Sequence, residues 1–336
     1  MSLTKRRTAA VLALAAGLAA AGVAAAQGPI RGHVHIDGSS TVAPITMAAA
    51  EMFRAQQPKV EIKVGISGTG GGFKKFLEEK AELRSDISDA SRPIKKEELE
   101  RAAKLGVEFI ELPVALDGLA VLVNPANTFC EALTVAELRR IWEPGSTINN
   151  WKDVRPGFPD LPLKLYGPGT DSGTFDYFCE AVCGKEKASR SDYTASESDN
   201  VLVQGVSGDK GALGYFGYAY FESNREKLKL VAIDPGDGNP VLPSRETVTG
   251  HTYRPLSRPL FIYVNRQAAD RPEVAAFVAY LLQNGRSIVE HPRVGYVALE
   301  DDVYRAALER FNKRVTGSVY ADAGNAHKPL RELFVP

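Results

Sequence analysis

Three short segments of the chain combine glycine with hydroxyl side chains where a strand-like run gives way to a helix-like run. They are GSST at 38–41, SGTGGG at 67–72 and GTDSGT at 169–174. The first N–H groups of a helix lack helical partners, and the helix start carries about half a unit of positive charge. Backbone N–H groups and hydroxyls at such turns donate hydrogen bonds to anions. Together the three segments predict a site for a small oxyanion.

One such segment alone is typical of an ordinary helix cap. Three of them in one α/β chain favour a shared ligand, because these turns cluster at the carboxyl edge of an open sheet. The segment at 67–72 is neither a phosphate-binding loop closed by Lys-Ser/Thr nor a complete dinucleotide fingerprint. Ser172 lacks a G-x-S-x-G frame, since Gly169 stands three residues before it. No motif indicates catalysis, although a secreted hydrolase or phosphatase stays an open alternative.

A fourth segment supplies positive charge. The run SDISDASRPIKKEE at 85–98 ends a short strand with Ser91, Arg92 and Pro93. Arginine carries a planar fork of donors that suits oxyanions, and proline fixes the turn. Arg92 is therefore a candidate anion ligand, and a solvated surface arginine is the alternative interpretation.

Strand-like and helix-like runs alternate along the chain and predict an α/β architecture. Two similar β-rich runs, DGLAVLVN at 117–124 and RPLFIYVN at 258–265, are expected to carry the chain into and out of a second domain. A mostly helical region follows from 271 to 336. Predicted strands span 33–36, 60–66, 87–90, 109–114, 119–123 and 163–166, and predicted helices span 45–56, 73–80, 95–104, 133–142, 174–182 and 273–285, with a helix, a turn and a strand in 198–221.

The first residues are typical of a secretory signal peptide. Lys5, Arg6 and Arg7 precede an alanine-rich apolar run, and small residues predict cleavage after Ala26. An uncleaved membrane anchor is the alternative. Cleavage would lower the number of Lys plus Arg residues from 41 to 38 and leave the 41 Asp plus Glu residues unchanged. The net charge of the mature chain would then be −3. This balance argues against nucleic-acid binding, so local dipoles must hold an anion.

Cysteine and histidine are scarce in the chain. Three cysteines and five scattered histidines do not form a metal-binding pattern, and we expect neither a metal nor another cofactor. An oxidising compartment permits one disulfide. Cys179 and Cys183 lie one helical turn apart, and Cys130 precedes the helix predicted at 133–142. We expect Cys130 to pair with Cys183, at the freer end of its helix.

The four segments, in this order, resemble the phosphate-binding proteins of bacterial ABC uptake systems. The resemblance rests on YGPGTDSGTFDYF at 166–178 and SDNVLVQGVSGDKGALGYFGYAYF at 198–221, and it extends from about Ile36 to Arg314. It implies a type II periplasmic-binding-protein fold, in which two hinge strands join two α/β lobes and the ligand is buried between them. The implied division is a signal peptide at 1–26, a first lobe at 27–117 and 262–336, and a second lobe at 118–261.

The resemblance also implies the residues that contact phosphate. Two positions depart from the family pattern: Pro168 replaces an arginine four residues before the serine of Ser-Gly-Thr, and Arg92 replaces an aspartate after Ala-Ser. Arg92 is a candidate to replace the lost arginine, and Asp171 or Asp89 to accept the phosphate proton. The ligands that the resemblance implies are Thr41, the N–H of Val42, Thr69 (where the family usually has serine), Ser172, Gly173 and Thr174. Further candidate ligands are Ser40, Gly70, Ser91, Arg92 and Asp171.

The resemblance thus implies a periplasmic or secreted, monomeric protein without enzymatic activity that delivers inorganic phosphate to a membrane ABC permease. Within this class, binding of another tetrahedral oxyanion such as sulfate or molybdate is the alternative. Phosphate carries a proton at neutral pH and sulfate carries none. A hydrogen-bond acceptor in the site would therefore favour phosphate and repel sulfate.

Overall fold

The computed structural model describes residues 30–170, 172–196, 198–325 and 328–336. The predicted signal peptide lies outside these residues. The strands are β1 (Gly32–Gly38), β2 (Val60–Ile66), β3 (Ile87–Ala90), β4 (Phe109–Val123), β5 (Ala132–Thr134), β6 (Lys164–Gly167), β7 (Thr194–Ala195), β8 (Ala212–Gly217), β9 (Lys229–Leu230), β10 (Ala232–Asp234) and β11 (Ser257–Asn265). The helices are α1 (Ala43–Gln56), α2 (Gly68–Phe76), α3 (Lys96–Lys104), α4 (Val135–Trp142), α5 (Gly173–Cys183), α6 (Asp199–Gly208), α7 (Tyr218–Glu222), α8 (Arg245–Thr249), α9 (Pro272–Gln283), α10 (Gly285–Val289), α11 (Asp301–Asn312) and α12 (Leu330–Phe334).

Among the described residues, nine strands form one sheet in the order β2-β1-β3-β11-β4-β8-β6-β7, with β9 beside β4, and β5 pairs with β10 separately. Strands β1, β2 and β3 are mutually parallel, as are β6, β7 and β8. The long strand β4 connects the two groups, because 109–118 pairs with β11 and 119–123 pairs with β8. The mixed α/β architecture agrees with the sequence prediction, and the division into two domains stays a prediction.

The bounds predicted from the sequence agree with the observed strands and helices to within a few residues for most elements. Two elements differ from the prediction. The strands predicted at 109–114 and 119–123 form the single strand β4, which is buried along its whole length. The helix predicted to start at Phe73 begins at Gly68, so the glycine run is itself the start of α2. A Cβ on Gly72 would lie 2.5 Å from the Gly38 Cα, which shows why this turn of helix lacks side chains.

Aromatic contacts fix the helices that carry the predicted site. Phe73 of α2 packs at 4.9 Å from the ring of Tyr263 in β11. Phe178 of α5 stacks on Tyr215 of β8 at 3.7 Å, and Trp142 of α4 meets the same tyrosine edge-on. Rings that pack in this way immobilise α2 and α5 on the sheet. Among the described residues, the helices are all too short or too polar to cross a membrane.

The expected disulfide between Cys130 and Cys183 is wrong, because both residues and Cys179 are free thiols. Cys130 lies near Arg155 and Lys229, whereas the charged neighbours of Cys183 are Arg139 and Glu143. The two sulfurs therefore occupy different environments. Sequence position could not place them, since proximity of cysteines is decided by tertiary packing.

Candidate anion-binding site

The register of the first three strands brings three predicted segments to one edge of the sheet. Gly38 at the end of β1 pairs with Ile66 at the end of β2 and with Asp89 near the end of β3. The loops that leave these strands therefore lie side by side. They lead into α1, into α2 and towards α3, as expected for the carboxyl edge of a parallel sheet.

The start of α5 meets the loop before α1. A Cβ on Gly173, the first residue of α5, would lie 2.5 Å from the Thr41 Oγ1 and 2.8 Å from the Thr41 nitrogen. Thr41 is buried, and Ser172 accepts a hydrogen bond from the Thr174 N–H (3.2 Å) as the cap of α5. Two predicted segments, more than 130 residues apart in the chain, are thus brought into contact. Ser40 and Val42 flank Thr41 in the same loop.

Thr69 and Ser91 form a second pair of predicted ligands. Their hydroxyl oxygens are 3.0 Å apart, and the Ser91 N–H donates to the Thr69 Oγ1 (3.2 Å). Thr69 lies in the first turn of α2, next to the predicted ligand Gly70. An ideal Cβ on Gly70 would meet open space. The structure therefore joins the second predicted segment to the segment that follows β3.

Arg258, which the sequence interpretation missed, reaches the junction between Thr41 and α5. Its Nη2 donates to the Thr41 Oγ1 (3.1 Å), and its guanidinium carbon lies 3.7 Å from the centroid of the Tyr177 ring on α5. The Arg258 side chain is only 12% exposed. A largely buried arginine fork that contacts a predicted ligand is suited to bind an oxyanion with two parallel hydrogen bonds.

Asp117 is the partner of Arg258 across the two long strands. The two residues are opposite each other in the pairing of β4 with β11, and the Arg258 Nε lies 3.4 Å from the Asp117 Oδ2. The Asp117 side chain is 1% exposed, and its Oδ1 has no hydrogen-bond partner among the described residues. Burial raises the pKa of the Asp117 carboxyl, and the charge of Arg258 opposes that shift.

Arg92 is engaged by a different partner. Its Nη1 and Nη2 donate to the two carboxylate oxygens of Glu98 at 2.9 and 2.8 Å. Arg92 also lines a cavity of about 490 Å³, together with Thr69, Gly70 and Glu180 near the end of α5. Arg92 thus lies at the cleft, but Glu98 already neutralises its charge. Its role as an anion ligand stays a prediction.

The two aspartates considered as proton acceptors are not equivalent. Asp89 is fully buried, and its Oδ2 accepts a hydrogen bond from the Thr46 hydroxyl in α1 (2.8 Å). Burial raises the pKa of Asp89 to about 8, and the nearby Asp37 adds to the shift. A carboxyl with that pKa is mostly protonated at neutral pH and is a poor acceptor. Asp171 lies outside the described residues.

The groups gathered at this site are suited to bind an anion. The starts of α1, α2 and α5 and the Arg258 guanidinium supply positive charge and N–H donors for an anion. Ser172 uses its hydroxyl oxygen to cap α5. Among the described residues, no cluster of three or more His, Cys, Asp or Glu side chains could hold a metal ion.

A signal for Arg258 and Asp117 was present in the sequence. Asp117 opens the run DGLAVLVN, and Arg258 opens the run RPLFIYVN, the two segments predicted to cross between domains. A charge at the edge of a buried strand needs a partner, because an unpaired charge is costly to bury. Two opposite charges at equivalent places in the two crossing strands could have been paired on this ground.

Comparison with known proteins gives a consistent result. Residues 23–284 match the family model described as a PBP superfamily domain. Protein SphX of Synechococcus elongatus is 47% identical over 306 residues, covering 90% of this chain and 88% of SphX. The phosphate-binding protein PstS of Staphylococcus haemolyticus is 36% identical over 287 residues, covering 84% of this chain and 86% of PstS.

Solved structures agree with these relatives. A possible phosphate binding protein from Planctomyces limnophilus superposes with a TM-score of 0.80 at 49% identity, covering 85% of this chain and 99% of that one. A phosphate ABC transporter substrate-binding protein from Clostridium perfringens, with bound phosphate, gives a TM-score of 0.55 at 26% identity, covering 80% and 100% of the two chains. The predicted fold class is confirmed.

Proposed function

Because the chain belongs to the PBP superfamily, among the phosphate-binding proteins of ABC transporters, we propose that it binds inorganic phosphate and supplies it to a membrane permease. The family is one of substrate-binding proteins, and we expect no catalysis. The phosphate sits where the loop before α1 meets the start of α5. Thr41, Gly173 and Arg258 form the centre of the site, and Thr69 and Ser91 lie in the neighbouring loops.

The observation that carries this proposal is the position of Arg258. Its side chain is only 12% exposed, and its guanidinium contacts the Thr41 hydroxyl and lies over the Tyr177 ring in α5. Arg258 supplies a full positive charge. Pro168, which stands before the segment at 169–174 in place of the family's arginine, cannot supply one. A charge-assisted hydrogen bond is worth about 1.5–3 kcal/mol, and a micromolar site needs about 8 kcal/mol. A bidentate arginine with a few backbone and hydroxyl donors meets that requirement.

The two strands that connect the sheet support a two-lobed mechanism. We assign residues 27–117 and 262–336 to one lobe and 118–261 to the other, so that β4 and β11 are the hinge. The proposed ligands Thr41 and Gly173 belong to different lobes, and binding therefore stabilises the closed form. We expect the protein to be a monomer that is released to the periplasm or the cell exterior after cleavage near Ala26. A monomer of this kind can deliver phosphate to an ABC permease.

Titration calorimetry with inorganic phosphate tests the proposal on the mature protein. We expect tight binding by the wild type and a loss of about 10- to 150-fold in Arg258→Ala, equal to about 1.5–3 kcal/mol. Arg258→Lys keeps the charge without the planar fork and should recover only part of the loss. Arg92→Ala is the matched comparison, and its effect should be smaller because Glu98 already pairs with that arginine.

Two results would overturn the proposal. The first is a folded wild-type protein that does not bind phosphate at millimolar concentration. The second is an Arg258→Ala variant with wild-type affinity and an unchanged circular-dichroism spectrum, which would place the phosphate elsewhere. A larger loss of phosphate affinity in Arg92→Ala than in Arg258→Ala would show that Arg92 is the main arginine ligand of the anion.

A further inference from the structure

Tyr263 in β11 contacts both of the segments that carry the Thr69–Ser91 pair. The side chain is fully buried, and its hydroxyl oxygen accepts a hydrogen bond from the Ile94 N–H (2.9 Å), a short distance along the chain from Ser91. The Tyr263 ring packs on Phe73, with 4.9 Å between the ring centroids, and Phe73 follows Thr69 by about one turn of α2. One buried side chain therefore touches the supports of two proposed ligands.

The bond from Ile94 to Tyr263 attaches the turn between β3 and α3 to the sheet. The Arg92 guanidinium donates to the Pro93 carbonyl (3.0 Å) and to Glu98 (2.9 Å), but these contacts lie within the turn and the start of α3. The Tyr263 hydroxyl, by contrast, belongs to a central strand and is 169 residues away in the chain. It therefore fixes the height of the turn above the sheet.

Glu111 determines the direction of the Tyr263 hydroxyl. The two residues are opposite each other in the pairing of β4 with β11, and the hydroxyl donates to the Glu111 Oε2 (2.8 Å). A hydroxyl has one hydrogen, so its lone pairs remain free to accept from the Ile94 N–H. Burial raises the pKa of Tyr263 well above its ordinary value, and the hydroxyl therefore keeps the proton that it donates.

The Glu111 carboxylate is itself held by the segment that follows α11. The Ser318 hydroxyl also donates to the Glu111 Oε2, and the Val319 N–H donates to the Oε1 (2.9 Å). Glu111 is fully buried, and its burial is tolerable because both oxygens are paired and the charge of Arg310 is nearby. A carboxylate with three donors around it has little freedom to move, so it can hold Tyr263 in one position.

Resting on the proposed function, we propose that Tyr263 is a positioning residue for phosphate binding, which acts through Thr69 and Ser91 and is held in place by Glu111. The Thr69 and Ser91 hydroxyl oxygens are 3.0 Å apart, and both come from loops that the same ring and hydroxyl support. A loop without this support would have to be ordered when phosphate binds. That ordering would reduce the affinity without removing any contact to the anion.

Phosphate calorimetry on Tyr263→Phe tests the proposal, because the variant keeps the ring on Phe73 and loses only the hydroxyl. We expect phosphate affinity to fall by about three- to tenfold, the effect of one lost hydrogen bond. Tyr304→Phe is the matched control. The buried Tyr304 hydroxyl in α11 also has two partners, the Val114 carbonyl (2.9 Å) and the Leu299 N–H (3.4 Å). Its loss should lower the unfolding temperature and leave phosphate affinity unchanged.

A double-mutant cycle supplies a measurement that a purely structural role would not affect. If Tyr263 acts through Ser91, the loss of phosphate affinity in the double variant Tyr263→Phe, Ser91→Ala should be smaller than the product of the two single losses. Arg258→Lys changes the other side of the site, beside Thr41. Its effect should multiply with that of Tyr263→Phe.

Three results would overturn the proposal: wild-type phosphate affinity in folded Tyr263→Phe, an equal loss of affinity in Tyr304→Phe, or independent effects of Tyr263→Phe and Ser91→Ala. If Tyr263→Phe does not fold, Glu111→Gln replaces it in the same cycle with the same expected loss, because an amide has only one acceptor oxygen for the three donors. Phosphate binding by the wild type leaves the proposed function standing with any of these results. A folded wild type that does not bind phosphate removes both.

Discussion

Gly173→Ala tests whether phosphate binding requires the contact between Thr41 and the start of α5, which joins the two proposed lobes. Gly173 is the first residue of α5, and its missing side chain allows Thr41 to approach. An added Cβ would lie 2.5 Å from the Thr41 Oγ1, 2.8 Å from its nitrogen and 2.9 Å from its Cα. Two of these three atoms are backbone, so a rotation of the threonine side chain cannot relieve the clash.

The size of the effect follows from the distances. Ordinary contact begins at 3.4 Å, so the shortest of the three distances, 2.5 Å, must lengthen by about 0.9 Å. Overpacking of this kind costs about 1–3 kcal/mol, equal to about 5- to 150-fold in Kd. The cost is paid only in the closed form. The open protein keeps the backbone N–H of residue 173, and alanine is the better helix former.

The assay combines phosphate calorimetry with thermal unfolding in the absence of phosphate. We expect weaker phosphate binding and an unfolding temperature that is equal to or above that of the wild type. Gly208→Ala is the matched control, because a Cβ at the end of α6 would meet open space, and it should leave phosphate affinity unchanged. Wild-type affinity in Gly173→Ala would refute the conclusion that Thr41 and α5 meet in the bound state.

Two further predictions concern buried groups. Burial raises the pKa of Asp89 from its ordinary value of 3.8 to about 8. Between these two values the folded state keeps a proton that the unfolded state releases. The free energy of unfolding therefore falls as pH rises through this interval. Asp89→Asn should remove that part of the slope in urea unfolding between pH 5 and 9, and a difference from the wild type that is constant with pH would contradict the assignment. Burial also raises the pKa of Cys130 and Cys179 to about 12 and that of Cys183 to about 11. We therefore expect all three thiols of the folded protein to react slowly with a thiol reagent at pH 8. After unfolding without reductant, the protein should consume three equivalents of the reagent. Fewer than three would show that a disulfide forms.

Local chemistry in the sequence was sufficient to place many of the elements and the anion-binding loops. The strands at 60–66 and 87–90 have the predicted bounds, because β-branched apolar runs end at residues that favour turns. Thr134 caps α4, since its hydroxyl oxygen accepts a hydrogen bond from the Glu137 N–H. These features depend on residues a few positions apart, which a sequence displays directly.

The tertiary structure decided which charges lie beside the proposed anion site. Arg92 and Glu98 are six residues apart, yet their pairing required the fold of the loop that precedes α3. Arg258 and Asp117 are 141 residues apart and become partners only through the register of β11 with β4. The energy of a charge depends on its burial and on its nearest opposite charge. Both are properties of the packed structure. The sequence therefore determined the loops that are predicted to bind an oxyanion, and the fold determined the arginine and the carboxylate that lie beside them.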